Sequence, residues 1–307
     1  MSRPHRARRI ACLSLLVFVR TATVAVPRWS VAQVTARTTG NELRDMVSDV
    51  GYLMVSPFQA DGGDWAAAAF TGAGFVALLA VDKPVDAWVV RHPNAAVMRM
   101  LTPFREEHGA LNRLVTARQL VPLSAALVVV GAATGRRGLR EAGLGCMGGW
   151  AVSNLVRYAT YAGISRSRPS TGADPLSFAI PGGSWDEHSF FAGHTTNAFV
   201  CASFWSSRFE LGVAEPVLYA GAIMTGLSRI ADRRHWTSDT FVGTVVGIAI
   251  GHTLARRYVV RDEPRPSQPV ASPRGAAPAA SNRAAIAPRH SRLARPGPTV
   301  ILWRAAF

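Results

Sequence analysis

Apolar stretches rich in Ala and Gly recur along the chain at residues 65–81, 120–134, 141–162, 190–206, 213–227 and 239–255. Their lengths and their lack of strict apolar/polar alternation predict helices rather than strands. The expected fold is therefore all-α, a helical bundle with about six core helices. Each run is roughly 15 to 20 residues, at or below the ~20 needed to cross a bilayer, and Glu215-Pro216 falls inside one of them. The pattern fits a membrane-embedded bundle and a soluble one alike.

The loops carry a directional signal. "GRRGLRE" between the second and third stretches and "ARRYVVR" after the last are basic, as cytoplasmic loops tend to be. With those two inside, the ends of stretches three and five and the starts of four and six share the opposite, outer face. If a cleaved leader leaves residue 33 outside, a consistent membrane topology requires residues 65–81 not to cross.

The ends of the chain read differently from its middle. Arg3 to Arg9 precede the apolar run "IACLSLLVFV", and Ser30-Val31-Ala32 is a small-x-small site. Residues 1–32 thus read as a signal peptide or an uncleaved anchor, implying export. Residues 33–64 form an N-terminal segment with a short amphipathic helix near "GNELRDMVSDVGYLMV", 65–260 the helical domain, and 261–307 a Pro/Arg-rich tail expected to be disordered.

The net charge of +15 comes from arginine, since Lys83 is the only lysine, and much of it lies at the two ends. The middle shows no basic stripe with interleaved aromatics, which argues against nucleic acid as a partner. Beyond the leader only Cys146 and Cys201 remain. Both lie in apolar helical stretches and are expected to pack as small hydrophobes, with no disulfide framework indicated.

Chemistry-bearing residues gather at helix ends on the common face. In "GLSRIADRRHWTSDTFVG", a helix from about Arg234 onward puts His235 and Asp239 four apart on one face, where the carboxylate can accept from one ring nitrogen and leave the other for attack. Arg229, expected on the preceding loop, offers a planar fork to two oxygens of an anion. "SFFAGHTTNAF" puts Gly193-His194 where a helix opens, with free N–H groups that favour an anion and with Thr195 and Thr196 as potential caps. "YAGISRSRPSTG" closes another helix with Arg166, Arg168 and Pro169. Taken alone, each element also reads as ordinary helix capping or termination. His188 reads as a solvated loop histidine, Trp236 as a packed side chain, and Asp232 to Arg234 as a solvated turn.

Together these elements resemble the type 2 phosphatidic acid phosphatase superfamily, which also contains bacterial acid phosphatases and vanadium haloperoxidases. Its signature is Lys-x6-Arg-Pro, then Pro-Ser-Gly-His, then Ser-Arg-x5-His-x3-Asp. Ser228, Arg229, His235 and Asp239 meet the third part in full; Arg168-Pro169 and Gly193-His194 match within the other two. The likeness extends over roughly residues 65 to 256. Tyr161 stands in the lysine position, Ala192 in the serine position and Phe191 in place of the proline, and Arg157 or Arg166 is the candidate to supply the missing cation.

The resemblance implies a phosphatase that needs neither metal nor other cofactor and works on a phosphate monoester or pyrophosphate, a phosphorylated lipid or a small ester. His235 would be the nucleophile, held by Asp239 in its productive tautomer. His194 would be the acid and base, and Arg168, Arg229, Gly193 and Ser228 the phosphate-binding groups. It places the protein in the periplasm or in the inner membrane with its site facing the periplasm. The same superfamily leaves a vanadate-dependent haloperoxidase as an alternative, and the two departures suggest a second, a membrane protein that binds a phosphorylated lipid without turning it over.

Overall fold

The computed structural model describes residues 28–106, 109–179 and 188–262. The expected leader, residues 1–32, lies outside the described residues up to residue 27, and the expected tail, 261–307, from residue 263 onward. Eight α-helices follow in order: α1 Arg28–Val55, α2 Gly62–Arg91, α3 Ala96–Leu101, α4 Ala117–Thr134, α5 Arg137–Gly163, α6 Gly193–Arg208, α7 Ala214–Ala231 and α8 Thr237–Asp262. Each of the six Ala/Gly-rich runs falls on one of them, and the all-α expectation holds. Between α5 and α6 lies one small antiparallel pair, β1 Ser165–Arg166 with β2 Phe178–Ala179.

The N-terminal segment is more helical than its pattern suggests, because α1 runs well past the short amphipathic stretch. Asp49 on α1, almost fully buried, accepts from Arg257 at 2.5 Å and from Arg261 at 2.8 and 2.7 Å, fastening α1 to the end of α8.

α6 and α8 form the central pair. Their backbones approach closely because α8 carries Gly247, where a Cβ would come within 2.6 Å of the Thr196 carbonyl. Val152, Val200, Phe204, Ile250 and Leu254 fill the core around this pair. α5 packs on α6 and α4 on α5, while α7 flanks α6 and α2 flanks α8. This arrangement brings the C-terminal ends of α5 and α7 beside the N-terminal ends of α6 and α8, the common face read from the sequence.

One expectation is corrected here. Cys146 on α5 and Cys201 on α6 are joined in a disulfide, because the two helices face each other with these Cα atoms 4.8 Å apart, within bridging distance. Apolar helical context could not reveal that pairing. In addition, α2, which contains the run that the parity argument kept out of the membrane, is among the described residues the one helix long and apolar enough to cross. Only 11% of its most apolar stretch is buried, and Trp65, Phe70, Val76 and Val90 are exposed on it. Gly145, Gly149, Val200 and Leu254, on helices the sequence left open to membrane crossing, are in contrast packed inside the bundle.

Candidate active site

The turn between α7 and α8 sets the first part of the site. Arg229 lies in the last turn of α7 rather than on a loop, and it is fully buried. Its Nη2 donates to the Phe104 carbonyl at 2.8 Å and to Asp232 at 3.2 Å, while Nη1 stands 3.6 Å from Glu106 and makes no hydrogen bond. Burial pushes the guanidinium below its usual range, with Asp232 and Glu106 pulling the other way. Ser228 does not point an oxygen at the pocket. Its hydroxyl donates to the Thr225 carbonyl at 2.7 Å and accepts from Arg229 at 3.2 and 3.3 Å, so it steadies the fork.

Asp232 to Arg234 are not a bare solvated turn. Asp232 accepts from Arg105 at 2.6 Å and from the Glu106 amide at 2.8 Å, and Arg234 pairs with Glu106 at 2.9 Å. Arg233 adopts a left-handed backbone with φ of 55°. Such a conformation needs outside support. Asp86 on α2 supplies it by accepting from Arg233 at 2.7 and 2.9 Å, and the Pro169 carbonyl accepts at 2.7 Å. The turn that presents His235 is thereby tied to the Arg168-Pro169 segment.

His235 is buried and lies just before α8, so it does not share a helical face with Asp239. Its Nδ1 bonds the Ser189 carbonyl at 2.5 Å. A carbonyl only accepts, so Nδ1 carries the proton and Nε2 keeps its lone pair. Asp239 sits in the first turn of α8, where its carboxylate accepts from the Trp236 amide at 3.0 Å and from the Ser189 hydroxyl at 2.5 Å. The expected direct His235–Asp239 contact is replaced by one through Ser189, because α8 begins at Thr237 and the carboxylate turns back to cap it. Trp236 is packed as expected, its indole N–H donating to the Ser167 carbonyl at 2.8 Å.

Arg166 is fully buried as the hub of an ion cluster. It bonds Asp239, Ser238 at 2.9 Å, Asp82 of α2 at 2.9 Å and the Pro175 carbonyl at 2.9 Å. Asp82 also accepts from the Ser238 amide at 2.9 Å and hydroxyl at 2.6 Å. Each of the three guanidinium nitrogens of Arg166 donates to a protein oxygen. Burial pushes the Asp239 carboxyl above its ordinary value, against the pull of Arg166 and of the Ser189 and Trp236 donors.

Of the two arginines considered for the missing cation, Arg157 lies beside Tyr161 and Gly193. Its guanidinium lies 5.7 Å from the Tyr161 ring centroid, and so close over Gly193 that any Cβ there would collide with it. Tyr161, buried, rests against the half-buried His188 ring at 4.6 Å, so His188 is packed rather than simply solvated. Gly193 opens α6 after Ala192, and no side chain caps that end. Thr196 instead donates back to the Ala192 carbonyl. Uncapped first-turn N–H groups and the positive end of the helix dipole favour an anion.

Electrostatics shows which groups converge. Burial, then the charges of Arg229, Arg157 and Arg168, push the His194 imidazole down to about 3. Burial and Arg168, then His194 and Arg229, push His235 well below its usual range, opposed by the Ser189 carbonyl. Both imidazoles therefore feel Arg168 and Arg229, and each is held neutral beside a cluster of cations. That is the electrostatic signature of a site built for an anion. Asp82, Ser189 and Phe104 escaped sequence reasoning. A carboxylate set directly after the apolar run of α2 was the available signal for Asp82, whereas the other two depend on backbone placement.

With this geometry the chain can be compared with known proteins. Residues 144–262 match the family model described as PAP2 superfamily. The match begins later than the sequence likeness suggested and leaves out α1 to α4. A curated relative, the lipid A 1-phosphatase of Porphyromonas gingivalis, is 41% identical over 68 residues, which cover 21% of this chain and 15% of the relative. The chain thus matches only a small part of that protein's length. No solved structure matches the chain.

Proposed function

We propose that the chain is a phosphatase that hydrolyses a phosphate ester through a phosphohistidine. The observation that carries this reading is the shared field of Arg168 and Arg229 on two neutral imidazoles, His194 at the start of α6 and His235 in the turn before α8. The Nε2 lone pair of His235 attacks phosphorus as the P–O bond to the leaving oxygen breaks. Arg168, Arg229, Arg157 and the first N–H groups of α6 take the equatorial oxygens, where preorganised donors favour the transition state. His194 gives its proton to the leaving oxygen. A water then attacks the phosphohistidine, returning a proton to His194, and the P–N bond breaks to release phosphate.

His194 is neutral among the arginines, so its proton must arrive with the substrate. The negative charge of the phosphate restores the proton affinity that the cations remove. The relative's name, and the exposed apolar α2, support a phosphorylated lipid met at a membrane surface. The Cys146–Cys201 bridge supports an oxidising compartment such as the periplasm. Release of inorganic phosphate from long-chain and small phosphate esters by the purified chain, compared with its His235→Ala variant, tests the reading. Activity that survives in the variant contradicts it.

A further inference from the structure

The connection between α3 and α4 lies outside the residues that match the family model, yet it reaches the candidate site. Nε and Nη2 of Arg229 are engaged by Ser228, Phe104 and Asp232, whereas Nη1 is buried and makes no hydrogen bond. A buried donor left open is costly unless a ligand takes it. Oε2 of Glu106 stands 3.6 Å from Nη1, too far for a hydrogen bond and close enough for an ion pair. Arg234 holds that same oxygen back at 2.9 Å. The Glu106 backbone is fixed as well, because its amide donates at 2.8 Å to the Asp232 oxygen that accepts from Arg229 Nη2 at 3.2 Å. The Glu106 side chain is 40% exposed and that of Arg229 1%. The carboxylate therefore stands on the solvent side of the buried guanidinium.

We propose that Glu106 governs how tightly the site holds phosphate: its carboxylate balances Arg229 while the site is empty and repels the oxyanion that takes Nη1. The inference rests on the proposed function, which sets an equatorial oxygen on Arg229. An oxygen at hydrogen-bond distance from Nη1, about 2.9 Å, lies within about 6.5 Å of Oε2. That is inside the screening length at physiological salt, so the two negative charges feel each other, and in a half-wet site the repulsion weakens phosphate binding roughly tenfold. Arg157, Arg168, Arg229 and the open end of α6 would otherwise retain the inorganic phosphate that hydrolysis leaves behind. Glu106 thus shortens the stay of the product. A purely structural Glu106 would act in the opposite sense, since its loss would loosen Arg229 and weaken phosphate binding.

Glu106→Gln removes the charge and keeps the length and the backbone amide. Binding of inorganic phosphate is measured by calorimetry on the full chain in amphipol, in a His235→Ala background where nothing turns over. Kd is expected to fall roughly tenfold in Glu106→Gln. With His235 intact, KM for p-nitrophenyl phosphate and Ki for phosphate should fall together while kcat does not rise. Because the substitution also frees Arg234, Arg234→Gln is added to it, and the tighter binding is expected to persist. Unchanged or weaker phosphate binding in Glu106→Gln, or a gain that disappears with Arg234→Gln, overturns the role of Glu106. Tighter phosphate binding in Glu106→Gln by a chain that hydrolyses no ester overturns the proposed function and leaves that role standing.

Discussion

Asp239 reaches His235 only through Ser189, whose hydroxyl donates to the carboxylate while its carbonyl accepts from Nδ1 of the imidazole, both at 2.5 Å. The carboxylate thus fixes the peptide that fixes the tautomer. Ser189→Ala keeps the carbonyl but releases its tether, and kcat is expected to fall about tenfold with little change in KM, a loss of ~1.4 kcal/mol in the transition state. An unchanged kcat would show that the peptide is held without Asp239.

Arg166 joins two buried carboxylates, and removing it leaves both uncompensated. Arg166→Leu is expected to lose about 3–5 kcal/mol of stability, read from denaturant midpoints, with activity falling because the α7–α8 turn and Ser238 lose their anchor. Asp82→Asn, which keeps the shape and one acceptor, should cost less. A loss of activity in Arg166→Leu without a loss of stability would instead return Arg166 to the phosphate.

Arg157 is the proposed stand-in for the lysine that Tyr161 displaces. Arg157→Ala is expected to lower kcat/KM for a phosphate ester by roughly 100-fold, about 2.7 kcal/mol of transition-state stabilisation. Adding Tyr161→Lys to that variant should recover at least tenfold, whereas alone it sets a second cation beside Arg157 and yields no gain. Failure of the rescue would mean that the two positions do not serve one oxyanion.

Acid should unfold this protein through its active site. His194 and His235 bind protons less readily folded than unfolded, so the unfolded chain takes up more protons as pH falls. The neutral burial of His194 contributes stability that is fully present above about pH 6.5 and is lost as pH falls toward about 3, by up to ~1.4 kcal/mol per pH unit, and His235 acts in the same direction. Replacing His194 by Gln should flatten the pH dependence of the denaturation midpoint over that window. Phosphate, by restoring the proton affinity of His194, should be bound with proton uptake, measurable by calorimetry in buffers of different ionisation heat.

The helical runs and the three site elements were legible because both depend on local pattern: apolar spacing gives the helices, and the third motif sets Arg229, His235 and Asp239 at helix ends. What stayed hidden depends on contacts between distant segments. Arg166 and Arg157 were equal candidates for the missing cation until folding sent one among Asp82, Asp239 and Ser238 and the other over Gly193. The Cys146–Cys201 bridge likewise needs the α5–α6 approach, which no spacing encodes.

Trapping the covalent intermediate tests the central claim most directly. The chain is mixed with a phosphate ester carrying radioactive phosphorus, quenched in alkali within one turnover and mapped by peptide. The expected result is an acid-labile, alkali-stable label on the peptide that contains His235, absent from His235→Ala. Steady hydrolysis with no label at His235, or hydrolysis by His235→Ala at the unmodified rate, would contradict the account.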